Sequence, residues 1–190
     1  MCDNKGQMNE DLNTRLSRIR LLALDVDGTL TDGGIYFGAN GEELKRFHTQ
    51  DGLGIVLARG AGLQIAWITG RESSIVWRRS QELATPRHLV LQGVKDKVKA
   101  LEHVAKAAEL TLAEVAFMGD DLNDLPAMSE AAVALCPSDA ASHVQSAADW
   151  VSTRRGGEGA VREAIELILT ARGDYDRAVA LYLEKLVPGQ

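Results

Sequence analysis

Short apolar runs that end in polar or glycine residues recur along the chain. The first is Leu21–Leu24, which is followed directly by Asp25. Three more runs have the same form and cover residues 63–68, 88–91 and 115–118. Runs of this length with turn-forming residues at their ends are typical of buried strands. The pattern therefore predicts four strands that carry polar groups at their carboxyl ends.

Stretches of helical length follow the later strands and fill the C-terminal part of the chain. They are predicted at residues 72–83, 95–108, 122–130, 160–171 and 174–186. Thr111 and Glu114 have the spacing of a capping box. Strands that alternate with helices predict an α/β fold, a Rossmann-like parallel sheet covered by helices on both faces. Because ligands bind beyond the carboxyl ends of such strands, we expect one site at that edge.

The stretch from residue 31 to residue 50 breaks this alternation. Two segments, 35–37 and 43–48, flank Asn40-Gly41, a dipeptide that favours a tight hairpin turn. We therefore expect a two-stranded flap over the site. The expected organisation is a polar N-terminal segment at 1–18, one core at 19–172 with the flap at about 32–50, and a helical tail at 173–190.

Composition narrows the class of protein. The chain has 190 residues, of which 45% are hydrophobic and 25% are charged, so one soluble globular domain is expected. Its net charge of −6 and its lack of long basic runs argue against a nucleic-acid partner. The polar N-terminus has neither a signal peptide nor a membrane span, which predicts a cytoplasmic protein. The two cysteines lack metal-ligand spacing, so neither zinc nor a disulfide framework is expected.

Two carboxylates follow the first strand. Asp25 and Asp27 are two residues apart, so one can attack a substrate while the other protonates a leaving group. An ordinary Asp-Gly turn after a strand is the alternative interpretation. A calcium loop fails as a second alternative, because Leu30 stands where such a loop requires glycine and because a strand precedes it.

A second acidic cluster, Asp120, Asp121 and Asp124, follows the fourth strand. Carboxylates this close repel one another unless a cation lies among them, and a set of oxygen ligands favours Mg²⁺. A helix N-terminus with acidic caps is the alternative. Thr69 and Lys97 supply the hydroxyl and the ammonium that a phosphoryl group needs. For Lys97 taken alone, a solvated helix lysine is the alternative.

Together these motifs resemble the haloacid dehalogenase (HAD) superfamily of phosphotransferases. The resemblance rests on Asp25-x-Asp27-Gly28-Thr29, Thr69-Gly70-Arg71, Lys97 and Gly119-Asp120-Asp121, in that order. It implies that Asp25 is a nucleophile that forms an aspartyl phosphate, and that Asp27 protonates the leaving oxygen and later activates water. It further implies that Mg²⁺ is held by Asp25, by Asp120 and by the main-chain carbonyl of Asp27. Thr69 and Lys97 would bind the phosphoryl group. Asp121 and Asp124 would orient the metal ligands without binding the metal themselves.

The motif spacing leaves no room for a cap domain. Predicted core strands and helices fill most of the intervals from Asp25 to Thr69 and from Thr69 to Lys97. Chains below roughly 40 residues rarely fold alone, so neither interval can hold a separate cap. Because this chemistry benefits from a dry site, we expect a neighbouring subunit to cover it.

Longer runs at residues 40–45, 47–55 and 156–163 are similar to the family of 3-deoxy-D-manno-octulosonate 8-phosphate (KDO 8-phosphate) phosphatases. This resemblance implies hydrolysis of KDO 8-phosphate in lipopolysaccharide sugar synthesis, by a homotetramer whose neighbouring subunits complete the active site. Val56 departs from the family pattern, which often has Arg or Lys at that position. The implied substrate pocket contains Asp27, His48, Thr49, Gln50, Asp51, Gly52, Arg71, Arg79 and Lys97.

Some of these residues would also fit another substrate, a signalling module or a scaffold without catalysis. Val56 leaves open a nine-carbon keto sugar acid 9-phosphate as the substrate. A receiver-type signalling module also combines acids, a threonine and a lysine on a parallel sheet. Asp27 argues against it, because this carboxyl is placed to discharge an acyl phosphate quickly. The intact motif residues argue against a scaffold without catalysis.

Overall fold

The computed structural model describes residues 12–39 and 43–186. Within these ranges lie eight strands, which we number in chain order: β1 (Leu21–Leu24), β2 (Tyr36–Phe37), β3 (Glu43–Leu44), β4 (Gln64–Ile68), β5 (Val90–Leu91), β6 (Val115–Met118), β7 (Val133–Cys136) and β8 (Trp150–Val151). Six of them form one parallel sheet in the order β5-β4-β1-β6-β7-β8. The predicted parallel α/β sheet is thus confirmed.

Helices cover both faces of the sheet. They are α1 over residues 12–17, α2 (Thr49–Gly60), α3 (Ser74–Glu82), α4 (Lys97–Ala107), α5 (Leu125–Glu130), α6 (Ser142–Ala147), α7 (Ala160–Ala171) and α8 (Tyr175–Leu186). Side chains alternate between the two faces of β1, because successive residues of a strand point in opposite directions. Leu22 and Leu24 therefore belong to the core that contains α2 and α7, while Leu21 and Ala23 belong to the core that contains α4.

The flap is a short antiparallel hairpin of β2 and β3. An isolated bridge between Thr31 and Phe47 joins its two ends. The predicted turn at Asn40-Gly41 lies outside the described residues. The flap ends earlier than predicted, because Thr49 and Gln50 already belong to the first turn of α2.

Several predicted boundaries moved by one or two residues, and one prediction was wrong in type. Residues 88–89 belong to a 3₁₀ turn, and only Val90–Leu91 pair as a strand. The Thr111–Glu114 capping box is confirmed. Helix α2 was not predicted, because its residues include Gly52, Gly54 and Gly60 and glycine disfavours helix formation by about 1 kcal/mol relative to alanine.

The chain ends that the structure describes pack onto the core. Leu16 of α1 is buried beside β1, and Ala178 of α8 is buried against the same cluster. α8 thus docks on α2 and α7 of its own chain. None of the helices in the described ranges is both long and apolar enough to cross a membrane.

Candidate active site

The register of the sheet brings three motif residues to one edge. Leu24, the last residue of β1, pairs with Trp67 of β4 and with Met118 of β6. Asp25, Thr69 and Asp120 follow these strands, so all three leave the sheet at the same level. This arrangement is the one that the polar strand ends predicted.

A tight turn over Val26–Leu30 follows Asp25 and depends on one glycine. Gly28 has a φ of 102°, a backbone conformation that is costly for residues with a side chain. A Cβ atom at this position would lie 2.0 Å from Oδ2 of Asp120. Glycine therefore allows Asp120 to approach the turn, where Thr29 Oγ1 donates a hydrogen bond of 3.0 Å to Asp120 Oδ1.

Lys97 connects the two acidic clusters from the first turn of α4. Its Nζ donates to Asp25 Oδ1 at 2.6 Å and to Asp124 Oδ1 at 2.5 Å. All three side chains are buried. Asp96 caps α4 by accepting from the backbone N–H of Lys99 at 3.1 Å, which fixes where the helix begins. The solvated-lysine interpretation of Lys97 is therefore wrong.

Asp121 and Asp124 shape the second acidic loop. Asp124 Oδ2 accepts from the backbone N–H groups of Asp120 and Asp121 at 3.1 and 3.2 Å. Asp121 is exposed and caps the turn by accepting from Leu122 N–H at 2.8 Å. These hydrogen bonds orient the backbone that carries Asp120, which fits the supporting role predicted for both residues.

Thr69 lies just beyond β4 and is buried. Its Oγ1 accepts a 3.3 Å hydrogen bond from the backbone N–H of Arg71, two residues later. The hydroxyl and the amides of this turn face the same sheet edge as Asp25. The N–H of Thr69 donates to the carbonyl of Leu91 and that of Arg71 to Thr69 Oγ1, so the Thr69 hydroxyl is the donor placed for a phosphoryl group at this edge.

Burial dominates the electrostatics of the acidic residues. Desolvation, followed by repulsion from Asp124, raises the pKa of Asp25 to about 7. Desolvation, followed by repulsion from Asp25 and Asp124, raises the pKa of Asp120 to about 8. Burial alone would lower the pKa of Lys97, but the charges of Asp25 and Asp124 outweigh it and raise that pKa. The site therefore contains more negative charge than Lys97 balances.

The donor set fits a hard divalent cation. Oxygen atoms of Asp25, Asp120 and Asp124 lie within 4.8 Å of one another. Both oxygens of Asp124 accept hydrogen bonds from Lys97 or the backbone. Asp25 and Asp120 each accept a side-chain hydrogen bond through Oδ1 and keep a second carboxylate oxygen. Carboxylate oxygens of this kind suit Mg²⁺, which would lie between Asp25 and Asp120.

Comparison with known proteins agrees with this geometry. A model of the haloacid dehalogenase-like hydrolases matches residues 88–165. The 3-deoxy-D-manno-octulosonate 8-phosphate phosphatase KdsC of Escherichia coli K12 is 40% identical over 173 residues, which are 91% of each protein. The chain belongs to the KDO 8-phosphate phosphatase family.

Solved structures of KDO 8-phosphate phosphatases have the same fold. The enzyme of Moraxella catarrhalis, crystallised with magnesium, phosphate and KDO, superposes with a TM-score of 0.87 at 39% identity, covering 92% of this chain and 99% of that one. The cobalt-bound enzyme of Haemophilus influenzae gives a TM-score of 0.83 at 37% identity, covering 87% of this chain and 99% of that one. Membership in a phosphatase family favours an enzyme over a signalling module or a scaffold.

Lys45 is a residue of the site that was not predicted from the sequence. It follows β3, its side chain is fully buried, and its Nζ forms an ion pair with Asp27 Oδ1. The flap thereby contacts the carboxyl that is expected to transfer protons. Only the position of Lys45 in the flap, within the quoted family run, could have pointed to it.

We expect Lys45→Met to lower kcat by about 10- to 100-fold, because Asp27 loses the ion pair that positions its carboxyl group for proton transfer. Steady-state phosphate release with the purified variant measures the effect. Lys106→Met, on the exposed side of α4, is the matched control and should behave as the wild type. An unchanged kcat for Lys45→Met would show that the ion pair has no part in turnover.

The predicted substrate residues around the start of α2 are brought together only in part. His48 is the N-cap residue of α2, and its buried Nδ1 has no hydrogen-bond partner among the described residues. Thr49 and Gln50 are exposed in the first turn. His48 lies one residue after Phe47, which bridges to Thr31 at the end of the segment 26–32, which we call the catalytic turn. These three residues are thus available to a ligand at that edge.

The two predicted arginines differ in their surroundings. Arg71 is exposed next to Thr69. The guanidinium of Arg79 lies 5.9 Å from the centre of the Phe47 ring and donates to Glu82 at 3.2 Å. Its Nη2 lies so close to Gly52 that a Cβ at that position would require the end of the Arg79 side chain to move. The absence of a side chain at Gly52 therefore leaves space for Arg79. A contact between Gly52 and the substrate stays a prediction.

Asp51 was predicted to line the substrate pocket, but the structure shows a different role for its carboxylate, and a contact with substrate stays a prediction. Its side chain is buried, its Oδ1 accepts from Arg162 N–H at 2.8 Å, and its Oδ2 accepts from Gly159 N–H at 3.2 Å. Burial raises the pKa of Asp51 despite these hydrogen bonds. The carboxylate caps the N-terminus of α7, because the first amides of a helix have no partner within it.

We expect Asp51→Ala to lower the free energy of unfolding by about 2 kcal/mol, because it leaves the backbone N–H groups of Gly159 and Arg162, at the start of α7, without an acceptor. Urea denaturation measures this loss. Asp51→Asn keeps one acceptor oxygen and should lose less. A fall in kcat/KM without a loss of stability would instead restore the substrate contact.

Val56 lies on α2 with 38% of its surface exposed. Within one chain it faces solvent. The position where the family pattern often has a basic residue is therefore open to a ligand or a neighbouring subunit.

Proposed function

We propose that the chain is a Mg²⁺-dependent phosphatase that hydrolyses KDO 8-phosphate to KDO and inorganic phosphate. The observation that carries the proposal is the placement of Asp25, whose carboxylate is held by buried Lys97 and lies beside Asp120. The alignment with KdsC over 91% of the chain names the substrate. Its place in lipopolysaccharide sugar synthesis and in the cytoplasm stays a prediction.

Asp25 and Asp27 carry the two chemical steps of this proposal. A carboxylate oxygen of Asp25 attacks the phosphorus atom, the bond from phosphorus to the sugar oxygen breaks, and Asp27 gives its proton to that oxygen. Asp27 then takes a proton from water, and the water oxygen attacks the phosphorus of the aspartyl phosphate. Inorganic phosphate leaves, and the carboxylate of Asp25 is regenerated.

The other motif residues hold the reacting groups. Thr69 and Lys97 bind the oxygens of the phosphoryl group, while Asp124 keeps Lys97 and the Asp120 backbone in place. Asp25, Asp120 and the main-chain carbonyl of Asp27 would hold Mg²⁺, which would supply positive charge near the phosphoryl oxygens.

Recognition of the sugar acid is assigned to the residues near the start of α2 and to the two arginines. His48 offers an unpartnered ring nitrogen, and Arg71 offers an exposed guanidinium. Arg79 is half-buried and held by Phe47, so its donors are oriented before substrate binds. We assign Thr49 and Gln50 to the same pocket because both are exposed next to His48.

Phosphate release from a panel of substrates tests the function. The panel contains KDO 8-phosphate, a nine-carbon keto sugar acid 9-phosphate, hexose phosphates and p-nitrophenyl phosphate, each with Mg²⁺ or with EDTA. We expect Mg²⁺-dependent release that strongly favours KDO 8-phosphate. Equal or faster release from the nine-carbon acid would assign the other substrate and connect it with Val56. Release from none of them would refute the phosphatase proposal.

We also infer a homotetramer in which neighbouring subunits complete the site. The flap supports this inference, because Tyr36, Phe37 and Leu44 are 53%, 67% and 66% exposed. Exposed apolar side chains clustered on a small hairpin favour contact with another protein surface. Analytical ultracentrifugation tests it, and a fully active monomer would refute it.

A further inference from the structure

The loop at residues 152–159, which we call the brace loop, lies against the backbone of the catalytic turn. The Cα of Gly156 faces the carbonyl oxygens of Gly28 and Thr31, and Gly157 packs on the backbone of Thr31 and Asp32. Gly157 N–H also donates a 3.1 Å hydrogen bond to the carbonyl of Thr29. The mechanism proposed above uses no residue of this loop.

Space between the two backbones admits only glycine. A Cβ at Gly156 would lie 1.7 Å from the carbonyl oxygen of Gly28 and 3.2 Å from that of Thr31. Both neighbours are main-chain atoms, so neither can rotate out of the way. The φ of Gly156 is not in the left-handed region, so the close approach alone requires glycine there.

Three carboxylates fix the brace loop from its outer side. Asp139 accepts from Gly156 N–H at 2.9 Å and from Arg155 Nε at 3.1 Å. Glu163 of α7 accepts from the N–H and the Oγ1 of Thr153, each at 2.8 Å. Asp51 holds the first turn of α7, where the loop ends. A segment anchored this way acts as a rigid support and not as a mobile cover.

The backbone that the brace loop supports belongs to the chemistry of the site. The supported segment begins one residue after Asp27, whose carbonyl is a proposed Mg²⁺ ligand, and it contains Thr29, which donates to Asp120. A shift of Gly28 would therefore move Asp120 and Asp27 relative to Asp25. Misplacement of reacting groups by about 1 Å costs on the order of 100-fold in rate.

We propose that Gly156 and Gly157 are positioning residues, which hold the catalytic turn in the geometry that Mg²⁺ binding and phosphoryl transfer require. The proposal rests on the phosphatase function above. It concerns the placement of Asp27 and Asp120 and assigns neither glycine a contact with the substrate. Asp139 is a positioning residue for the same reason, because it accepts the hydrogen bond of the Gly156 N–H.

The test uses Gly156→Ala in the full-length protein, with Gly60→Ala as the matched control. A Cβ at Gly60 meets nothing within 4 Å. We expect Gly156→Ala to lower kcat by about 100-fold with little change in KM, and to weaken Mg²⁺ binding in calorimetry without substrate. Circular dichroism at the assay temperature confirms that the variant is folded. Wild-type kcat and Mg²⁺ affinity in folded Gly156→Ala would overturn the proposal.

Asp139→Ala decides the question if Gly156→Ala fails to fold. Asp139 lies at the surface, and its side chain is 33% exposed, so its loss should leave the fold intact. We expect a fall in kcat of about 10-fold and weaker Mg²⁺ binding. A change in thermal midpoint alone, with both functional readouts unchanged, would show a merely structural loop. Because Mg²⁺ calorimetry needs no substrate, it tests the brace loop even if the phosphatase proposal fails.

Discussion

Asp25→Asn will lower kcat by at least about 10⁴-fold, the scale of loss seen when a covalent nucleophile is removed. The amide of asparagine has no carboxylate oxygen that can form an acyl phosphate. Asp124 and Asp120 are poor replacements, because Asp124 uses both its oxygens in hydrogen bonds and Asp120 accepts from Thr29. Phosphate release and trapping of labelled phosphoenzyme measure the loss.

The same variant should remain folded. An asparagine side chain carries no charge, so the desolvation and the repulsion from Asp124 that raise the pKa of Asp25 would disappear. Its amide oxygen can still accept from Lys97. We therefore expect a thermal midpoint no lower than that of the wild type. Asp176→Asn, on the exposed side of α8, is the matched control with normal turnover. Substantial turnover by Asp25→Asn would refute the nucleophile assignment.

The parts of the site that lie at strand ends could be predicted from the sequence. An apolar run followed by polar residues predicts both a strand and the residue at which it ends, as at Leu21–Leu24 and Asp25. Parallel pairing then brings such ends together without further information. Asp120 and Thr69 were placed correctly for this reason.

Contacts that depend on packing between distant elements could not be predicted. Asp51 was assigned to substrate, but it caps α7, more than a hundred residues away in the chain. Lys45 reaches Asp27 only because the flap folds back through the bridge between Thr31 and Phe47. The close approach of Gly156 to Gly28 likewise cannot be predicted from the spacing of apolar and polar residues along the chain.

Chelation of the divalent cation will abolish turnover and will destabilise the protein more at pH 8 than at pH 5. The first effect follows if the cation is needed to balance the charge of Asp25, Asp120 and the phosphoryl group. At about 100 times its dissociation constant, a ligand that binds only the folded state adds about 2.7 kcal/mol to the free energy of unfolding. EDTA titrations, followed by activity and by thermal midpoint, measure both effects.

The pH dependence follows from the raised pKa values. Burial raises the pKa of Asp25 to about 7 and that of Asp120 to about 8, from 3.8 in the unfolded chain. Between pH 4 and 8 the metal-free folded state therefore binds more protons than the unfolded state, so its stability falls as the pH rises. Mg²⁺ needs both carboxyls deprotonated, so its affinity rises over the same range.

Asp120→Asn provides the control for this prediction, because it removes one proposed Mg²⁺ ligand together with its buried charge. The variant should show a thermal midpoint that responds little to Mg²⁺ at either pH. Its metal-free form should also lose less stability between pH 5 and pH 8 than the wild type does. If Mg²⁺ raised the thermal midpoint of the wild type equally at both pH values, the cation would not be binding to the buried pair of Asp25 and Asp120.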